Sequence, residues 1–325
     1  MHASVLFEIV KLSGIHHITA IAGDPQRNLD FYTQILGLRL VKRTVNFDDP
    51  GSYHFYFGDR NGRPGTILTF FPWPGARRGS RGTGQVVATG FAVAPGAIDY
   101  WKSRFKENHV LAEEAGPRFG QAVLRFTDPD GLMLELIEST HLENVDLNYR
   151  SSVPREFAVR GFNAPTLELQ SAELTERLLT QTFGFELVTQ ENNRRRFALE
   201  AAGSTQQLDL VVRPDTGFGN IAAGTVHHIA FRATSDEEQR QWREMLGGLG
   251  FGVTPVIDRQ YFHSIYFREP GGILFEIATD GPGFATDEPV ESLGQSLRLP
   301  RQYEAHRDSI EKVLPPITLH EPAAT

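Results

Sequence analysis

The chain has 325 residues, of which 40% are hydrophobic and 22% charged, and this is the composition of an ordinary globular protein with room for several modules. The formal net charge of −8 weighs against a nucleic-acid-binding protein, because a phosphate-binding surface needs a basic patch. The sequence contains no cysteine, which excludes disulfides, cysteine-ligated metal sites and a cysteine nucleophile.

No apolar run approaches the roughly 18 residues of a membrane-spanning helix, so no membrane partner is predicted. Residues 1–8 lack a basic leader and a small-residue cleavage site. We therefore expect no signal peptide and a cytoplasmic location. The one basic cluster, Asn192–Arg196, is interpreted as a solvated turn between two strands.

The first module starts near residue 14 and follows the order β-α-β-β-β. A strand at 16–22 leads into Asp24 and Pro25, which are typical of a helix N-cap and first helical position. Apolar residues at helical spacing continue to Gly37, which ends the helix. Three strand-like stretches follow, at 38–41, 53–57 and 66–71.

Three later stretches repeat this order, and such internal repetition is a stronger signal than any single motif. It predicts an α+β fold of four βαβββ modules in two tandem domains. The predicted N-terminal domain, 1–150, contains modules at about 14–75 and 84–140, the C-terminal domain, 151–282, contains modules at about 160–214 and 224–280, and a tail follows at 283–325. One helix is predicted in that tail, near 303–313.

Modules one and four open with nearly identical segments, and each segment carries a histidine pair, His16-His17 and His227-His228. Both segments have the apolar and β-branched neighbours of a strand, and strand side chains alternate faces. Only one histidine of each pair can therefore point into a given cavity. Two such strands lying side by side would supply two imidazoles to one centre.

Superposition of the four modules compares positions on their first and last strands. The first-strand position holds His17, Gly90, Asn163 and His228, and the last-strand position holds Phe70, Glu135, Asp209 and Glu276. Paired together, modules one and four offer two imidazoles, one carboxylate and open positions, the facial triad that suits Fe(II) or Mn(II). A shift of one residue in register would exchange the two histidines of a pair. At these positions modules two and three offer Glu135 and Asp209 but no histidine, and we expect no catalytic metal there.

Several stretches of the sequence also resemble a known family. They are 14–19, 31–44, 65–72, 226–228, 270–276, 283–288 and 292–294. These residues are similar to the vicinal oxygen chelate superfamily, which includes glyoxalase I, bleomycin-resistance proteins and extradiol dioxygenases. The resemblance covers nearly the whole chain and is greatest to ring-cleaving hydroquinone dioxygenases, the group related to 2,6-dichlorohydroquinone 1,2-dioxygenase.

The resemblance implies mixed sheets curled around a metal-binding cavity that holds a mononuclear non-haem Fe(II), with Mn(II) as the alternative metal. The implied metal ligands are His17, His228 and Glu276. The other implied site residues are His16, Thr19, His227, Arg259 and Tyr266. Of these, Arg259 is expected to hold a substrate oxyanion, and Tyr266 to orient the substrate or move a proton.

The predicted function is cleavage of a hydroquinone or related dihydroxylated aromatic ring with O₂. The predicted partners are a small aromatic substrate and O₂, and the sequence leaves open whether the protein is a homo-oligomer. Candidate aromatic residues of the cavity are Phe55, Phe70 and Phe262.

Two alternative functions follow from the same resemblance. The first is a glyoxalase-like isomerase, whose metal usually has four protein ligands including two carboxylates. Phe70 at the place of a second carboxylate disfavours it. The second is a non-enzymatic small-molecule binder, a class whose members usually lack the triad.

Overall fold

The computed structural model describes residues 11–142, 145–148, 150–201 and 204–320, and residues 1–8, in which no signal peptide is expected, lie outside this part of the chain. The strands in chain order are β1 (Ile15–Ala22), β2 (Arg39–Val45), β3 (Tyr53–Gly58), β4 (Ile67–Pro72), β5 (Gln85–Val93), β6 (Ala112–Glu114), β7 (Val123–Thr127), β8 (Met133–Glu138), β9 (Thr166–Leu169), β10 (Glu186–Glu191), β11 (Arg194–Ala201), β12 (Ser204–Val212), β13 (Thr225–Ala233), β14 (Ile257–Asp258), β15 (Phe262–Arg268) and β16 (Leu274–Pro282). The α-helices are α1 (Pro25–Asp30), α2 (Ile98–Glu107), α3 (Glu173–Arg177), α4 (Asp236–Gly248) and α5 (Arg307–Val313).

These strands form two eight-stranded sheets. The strand order is β14-β15-β16-β13-β1-β4-β3-β2 in the first sheet and β10-β11-β12-β9-β5-β8-β7-β6 in the second. In each sheet the first strands of two modules pair antiparallel, β1 with β13 and β5 with β9. Within each module the first and last strands pair in parallel. The predicted α+β fold of repeated modules with mixed sheets is therefore confirmed.

The first sheet joins modules one and four, and the second joins modules two and three. This is the pairing that the two histidine segments predict. Each sheet therefore contains one module from each of the two predicted domains. The division of the chain near residue 150 is a division in sequence, and it remains a proposal.

Local sequence signals explain how the first helix begins and ends. The Asp24 side chain accepts a hydrogen bond from the Arg27 backbone N–H, and Pro25 is the first helical residue. The helix continues as a π-helical turn at Phe31–Ile35. Gly37 then has a φ of +72°, and a Cβ at this position would lie 2.2 Å from the Ser151 hydroxyl. A glycine is therefore required at this point.

The structure corrects several expectations about individual elements. Strands β6 and β14 are not predicted, because each has only two or three residues and no alternating apolar pattern. In module three, which is predicted from about residue 160, the first strand begins only at Thr166, since Ala164 has a φ of +48°. The tail helix expected near 303–313 begins as a 3₁₀ turn at Arg301–His306 and becomes α-helical from Arg307.

The predicted solvated turn at Asn192–Arg196 is wrong in its second half. Asn192, with a φ of +53°, and Asn193 form the turn, but the three arginines belong to β11. Arg196 is buried and its guanidinium binds the carboxylate of Asp209, which lies opposite it on β12. A buried carboxylate on the neighbouring strand thus draws this arginine inward.

The C-terminal tail is fixed to the first sheet by a buried ion pair. Lys42 on β2 is fully buried, and its Nζ lies 2.6 Å from Asp287 Oδ1 and 2.5 Å from Glu288 Oε2. The ammonium also lies 4.8 Å from the ring centroid of Tyr261. Next to these carboxylates, Phe284 packs against Tyr261 and other aromatic rings of the sheet. The tail therefore covers one side of the sheet.

In the described residues, none of the helices has the length and apolarity needed to cross a membrane.

We predict that Lys42→Met destabilises the protein by about 3–5 kcal/mol, because it leaves two carboxylates without their buried cation. Urea unfolding followed by circular dichroism measures the loss. Lys102→Met is the control, since Lys102 pairs with Glu114 at an exposed position and its loss should change stability little. Equal stabilities of the two variants would contradict this account of the tail.

Candidate metal centre

Two β-bulges decide how the histidine pairs are placed. In the antiparallel pairing of β1 with β13, Ile15 lies opposite Phe231 but His17 lies opposite Ala230, so His16 is an extra residue. At the other end, Thr19 lies opposite His228 and Ala20 opposite Val226, which makes His227 the extra residue. A bulge disturbs the strict alternation of faces and re-aims side chains. Both histidines of each pair can therefore lie on the same side of the sheet.

The side chains of His17, His228 and Glu276 converge on one point. His17 Nε2 lies 3.3 Å from His228 Nε2 and 3.3 Å from Glu276 Oε2, and His228 Nε2 lies 2.9 Å from the same oxygen. All three side chains are buried. Ligands bound about 2.1 Å from one metal at right angles would lie about 3.0 Å apart. The three atoms therefore fit one face of a six-coordinate metal ion.

The hydrogen bonds of Glu276 support the same interpretation. Its Oε1 accepts a hydrogen bond from the Ser264 hydroxyl, which fixes the carboxylate. Its Oε2 is buried and makes no hydrogen bond of standard geometry, although it faces the two imidazole nitrogens. An ionic oxygen without a hydrogen bond is costly in a protein interior. A divalent cation bound by two nitrogens and one oxygen would satisfy it.

The electrostatics of these side chains favour the protonation states of metal ligands. Burial alone would raise the pKa of the Glu276 carboxyl, but the facing imidazoles of His17 and His228 hold that pKa well below its ordinary value. Burial lowers the pKa of His228, although Glu276 acts in the opposite direction. An ionised carboxylate and a neutral imidazole are the forms that bind a metal.

His16 and His227 orient the two histidines that face the centre. His16 Nδ1 lies 2.9 Å from His17 Nδ1, and His227 Nδ1 lies 2.7 Å from His228 Nδ1. Burial, and then the neighbouring histidine, lower the pKa of His16 to about 3, and the same two causes lower the pKa of His227 to about 3. Both are therefore neutral and can accept the Nδ1 proton of their neighbour. This tautomer leaves Nε2 of His17 and His228 free to bind a metal.

Arg259 and Tyr266 lie beside the carboxylate. Tyr266 on β15 is the strand partner of Glu276, and its ring centroid lies 5.7 Å from that of His228. Arg259 Nε donates a hydrogen bond of 3.3 Å to the Tyr266 hydroxyl. Burial, followed by the negative charge of Glu276, raises the pKa of Tyr266. A neutral phenol and a permanent cation therefore adjoin the three convergent side chains.

The expected aromatic residues of the cavity are partly wrong. Phe262 does lie at the site, with its ring centroid 5.1 Å from those of both His16 and His17. Phe55 and Phe70 instead belong to the hydrophobic core, where Phe70 packs 4.6 Å from Tyr32. Strand register determines which face each ring takes, and the sequence does not specify that register.

Register also corrects the expected counterpart of Glu276 in module one. Glu276 lies beside Ala230 on β13, whereas the matching residue of β1, Thr19, lies beside Thr69 on β4. The counterpart is therefore Thr69, and Phe70 is one residue too far along the strand. Thr69 Oγ1 lies 2.9 Å from Thr19 Oγ1 and 2.9 Å from His54 Nε2.

The sequence patterns do not single out Thr69, His54 and Tyr56 as residues near the site. The available signal was polar residues within apolar strands, in β4 next to β1 and in β3 next to β4. Tyr56 lies directly opposite Thr69 in the sheet, and its hydroxyl lies 2.9 Å from His54 Nδ1.

The same correction applies to the second sheet. Glu135 lies beside Gly90 and Asp209 beside Thr166, so both carboxylates do match Glu276. In the first sheet, His228 lies two residues before Ala230, the neighbour of Glu276. The same step back from Gly90 and from Thr166 leads to Ala88 and Ala164. The expected Gly90 and Asn163 are therefore not the counterparts of His17 and His228.

In the second sheet, arginines neutralise the two carboxylates. Arg118 makes two hydrogen bonds, of 2.6 and 2.7 Å, to the oxygens of Glu135. Asp209 accepts hydrogen bonds from Arg194 and Arg196. These pairs take the acceptor positions that a metal ion would need. Among the described residues, the side chains grouped closely enough to hold a metal ion are His17, His228 and Glu276.

Comparisons with known proteins agree with this geometry. The model of the "Glyoxalase/Bleomycin resistance protein/Dioxygenase superfamily" matches residues 14–136 and 172–277. The chain is 49% identical over 311 residues to the "Putative ring-cleaving dioxygenase MhqO" of Bacillus subtilis (strain 168), covering 96% of this chain and 98% of that protein. It is 34% identical over 315 residues to the chlorohydroquinone/hydroquinone 1,2-dioxygenase of Sphingobium indicum, covering 94% and 96%.

A solved structure is similarly close. It is the crystal structure of a "putative dioxygenase from Bacillus subtilis subsp. subtilis str. 168". It superposes with a TM-score of 0.91 at 49% sequence identity, covering 96% of this chain and 99% of that chain. At this level of similarity the same arrangement of strands is expected around the candidate site.

We predict that His17→Ala, His228→Ala and Glu276→Ala each reduce the iron content of anaerobically loaded protein to a small fraction of that of the wild type. Each change removes one of three convergent ligand atoms. Plasma emission spectroscopy after gel filtration measures the metal. His263→Ala serves as the control, because this partly exposed histidine pairs with Asp236 away from the centre. Full metal content in any of the three ligand variants would disprove its assignment.

Proposed function

The chain belongs to the glyoxalase/bleomycin resistance protein/dioxygenase superfamily, and we propose that within it this protein is a metal-dependent dioxygenase that cleaves the ring of a hydroquinone or related dihydroxylated aromatic. One observation carries the proposal. Two imidazole nitrogens and a single carboxylate oxygen converge. The position in module one that corresponds to Glu276 holds Thr69, which offers no carboxylate. Relatives that are named as dioxygenases, and that match this chain over almost their full length, support it.

We propose Fe(II) as the metal, with Mn(II) as the alternative. A set of two histidines and one carboxylate with open positions is typical of non-haem Fe(II) oxygenases. His17, His228 and Glu276 would hold the ion. When bound, Fe(II) supplies the electron transfer that lets O₂ react with an aromatic ring, and it lowers the pKa of a coordinated hydroxyl.

The remaining side chains of the site bind and orient the substrate. The Arg259 guanidinium presents fixed N–H donors and a permanent positive charge, so it can bind the oxygen of a deprotonated ring hydroxyl. Its contact with the Tyr266 hydroxyl fixes both groups. Tyr266 remains protonated at neutral pH, because burial raises its pKa. Its O–H can therefore donate a hydrogen bond or a proton to an oxygen that gains charge during the reaction.

Two further features of the chain suit an oxygen-dependent reaction. Phe262 covers His16 and His17 with an apolar ring, and the fully buried Glu276 has no contact with bulk water. Exclusion of water strengthens electrostatic interactions and limits side reactions of reactive species. The hydrogen bonds of His16 and His227 hold the metal-facing imidazoles in one tautomer throughout.

A glyoxalase-like isomerase is the enzyme class that competes with this proposal. Its metal usually has a second carboxylate, and in this chain Thr69 stands at that position. A non-enzymatic binder would not require the convergent ligands or the two orienting histidines. Neither alternative predicts that the protein consumes O₂.

We predict that Fe(II)-loaded protein consumes O₂ with hydroquinone in preference to catechol, and that Glu276→Gln abolishes this consumption. The amide of glutamine keeps the size of the side chain but loses the charge that binds the metal. An oxygen electrode measures the rate, and mass spectrometry identifies the ring-opened product. Tight binding of Zn or Ni without O₂ consumption would favour an isomerase, and protein that binds no metal would indicate a binding protein.

We also predict that Tyr266→Phe lowers kcat by about 100-fold or more, the usual effect of losing a residue that transfers a proton, while metal content stays unchanged. Phenylalanine retains the packing of the ring against His228. Single-turnover measurements at saturating O₂ separate this effect from substrate binding. A kcat equal to that of the wild type would remove Tyr266 from the reaction.

A further inference from the structure

Modules one and four present matching side chains on opposite sides of the metal centre. In module four, Tyr266 is the strand partner of Glu276, and Ser264 lies two residues before Tyr266. In module one, Tyr56 is the strand partner of Thr69, and His54 lies two residues before Tyr56. The set His54, Thr69 and Tyr56 is therefore the counterpart of Ser264, Glu276 and Tyr266.

The hydrogen bonds follow the same pattern in both sets. The Ser264 hydroxyl donates to Glu276 Oε1 and fixes the carboxylate that faces the centre. His54 Nε2 lies 2.9 Å from Thr69 Oγ1 and fixes the side chain at the equivalent position. Thr69 is therefore the residue from which a second carboxylate side chain would extend toward the centre. Its hydroxyl is held in place by the buried His54.

We propose that the Thr69 hydroxyl binds an anionic oxygen of a molecule bound at the centre, on the side supplied by module one, and that His54 is a positioning residue that acts through Thr69. The anionic oxygen belongs either to the deprotonated ring hydroxyl or to dioxygen as it is reduced. The proposal rests on the proposed function and extends it to the module that supplies only one metal ligand.

The length of the side chain supports this position. A glutamate oxygen is three bonds from Cβ, and the threonine hydroxyl is one bond from Cβ. Thr69 therefore ends two bonds short of the point that the Glu276 carboxylate reaches from the related strand. An oxygen atom of a bound molecule would bridge this gap between the Thr69 hydroxyl and the centre.

The hydrogen-bond network makes Thr69 a donor. Among the described residues, His54 Nδ1 is the hydrogen-bond partner of the buried Tyr56 hydroxyl, and an O–H without an acceptor is costly. Tyr56 therefore donates to Nδ1, and His54 carries its proton on Nε2 and donates to Thr69 Oγ1. Thr19 can donate to the same oxygen. When Thr19 donates in this way, both acceptor positions of Thr69 are filled and its own proton is free for an anionic oxygen.

The surroundings strengthen this donor. The four side chains of the network are buried, and the exposed fraction is 0% for Thr69 and 7% for His54. Burial, followed by the neighbouring His17, lowers the pKa of His54 well below its ordinary value, so its imidazole is neutral. A hydrogen bond made inside a protein is stronger than the same bond in water. Such a donor, fixed before the reaction, stabilises charge as it develops.

The first test compares Thr69→Val with Thr69→Ser. Valine keeps the shape and loses the hydroxyl, whereas serine keeps the hydroxyl. We measure iron content, the anaerobic Kd for hydroquinone by calorimetry, and the KM for O₂. Thr69→Val should keep its iron, and one of the two affinities should fall by about 10- to 100-fold, as expected for a hydrogen bond to a charged group. Thr69→Ser should stay near the wild type.

The affinity that falls identifies the oxygen. A weaker anaerobic Kd for hydroquinone assigns Thr69 to the ring oxygen. A higher KM for O₂ with an unchanged Kd assigns it to dioxygen. If Thr69→Val changes neither quantity, the proposal is wrong.

The second test compares His54→Gln with His54→Phe. The amide nitrogen of glutamine can replace Nε2 as a donor to Thr69, whereas phenylalanine keeps the ring and removes the donor. We expect His54→Gln to retain most of the affinity that Thr69→Val loses, and His54→Phe to lose it. If both variants lose equal affinity in proportion to their loss of stability, His54 has only a structural role.

The third test does not depend on enzyme activity. Thr69→Glu should place a second carboxylate within reach of the centre and increase the Zn(II) affinity of the metal-free protein by at least about 10-fold over Thr69→Gln. Competition with a chromophoric chelator measures this affinity. Equal affinities would overturn the placement of Thr69. If the wild type consumes no O₂ but Thr69→Glu gains Zn(II) affinity, the proposed function fails and this placement stands.

Discussion

The antiparallel pairing of β1 with β13 is the constraint on which the rest of the site depends. It joins strands that are more than 200 residues apart in the chain and places His17 and His228 side by side. A bulge in each strand then places the extra histidine, His16 or His227, against the metal-facing His17 or His228. One pairing of two strands therefore provides two imidazoles, sets the tautomer of both and positions the parallel strand that carries Glu276.

Duplication of the module has led to different outcomes in the two sheets. In the first sheet, the buried Glu276 faces two imidazoles and has an oxygen without a standard hydrogen bond. In the second, alanines take the histidine positions, and arginines bind Glu135 and Asp209. A buried carboxylate requires a cation in either case. Guanidinium groups from the chain provide that cation in the second sheet, and the geometry of the first sheet suits a metal ion.

Much of this arrangement could be predicted from the sequence, because repeated segments leave a clear pattern. The repeats predict the module order and the pairing of modules one and four, and the family resemblance implies the ligand set. Errors arise where the result depends on register between strands. The choice of Phe70 in place of Thr69 is a shift of one residue, and the same uncertainty moves Phe55 into the core. The turn predicted for the arginines of β11 is wrong, because only the pairing of β11 with β12 shows that the buried Asp209 lies opposite Arg196.

The most direct test of the metal centre is anomalous diffraction at the iron absorption edge from crystals of the anaerobically Fe(II)-loaded protein. We predict one anomalous peak per chain, within bonding distance of His17 Nε2, His228 Nε2 and Glu276 Oε2, with no fourth protein ligand. A peak at Glu135 and Asp209, or one bound by His16 and His227, would contradict it.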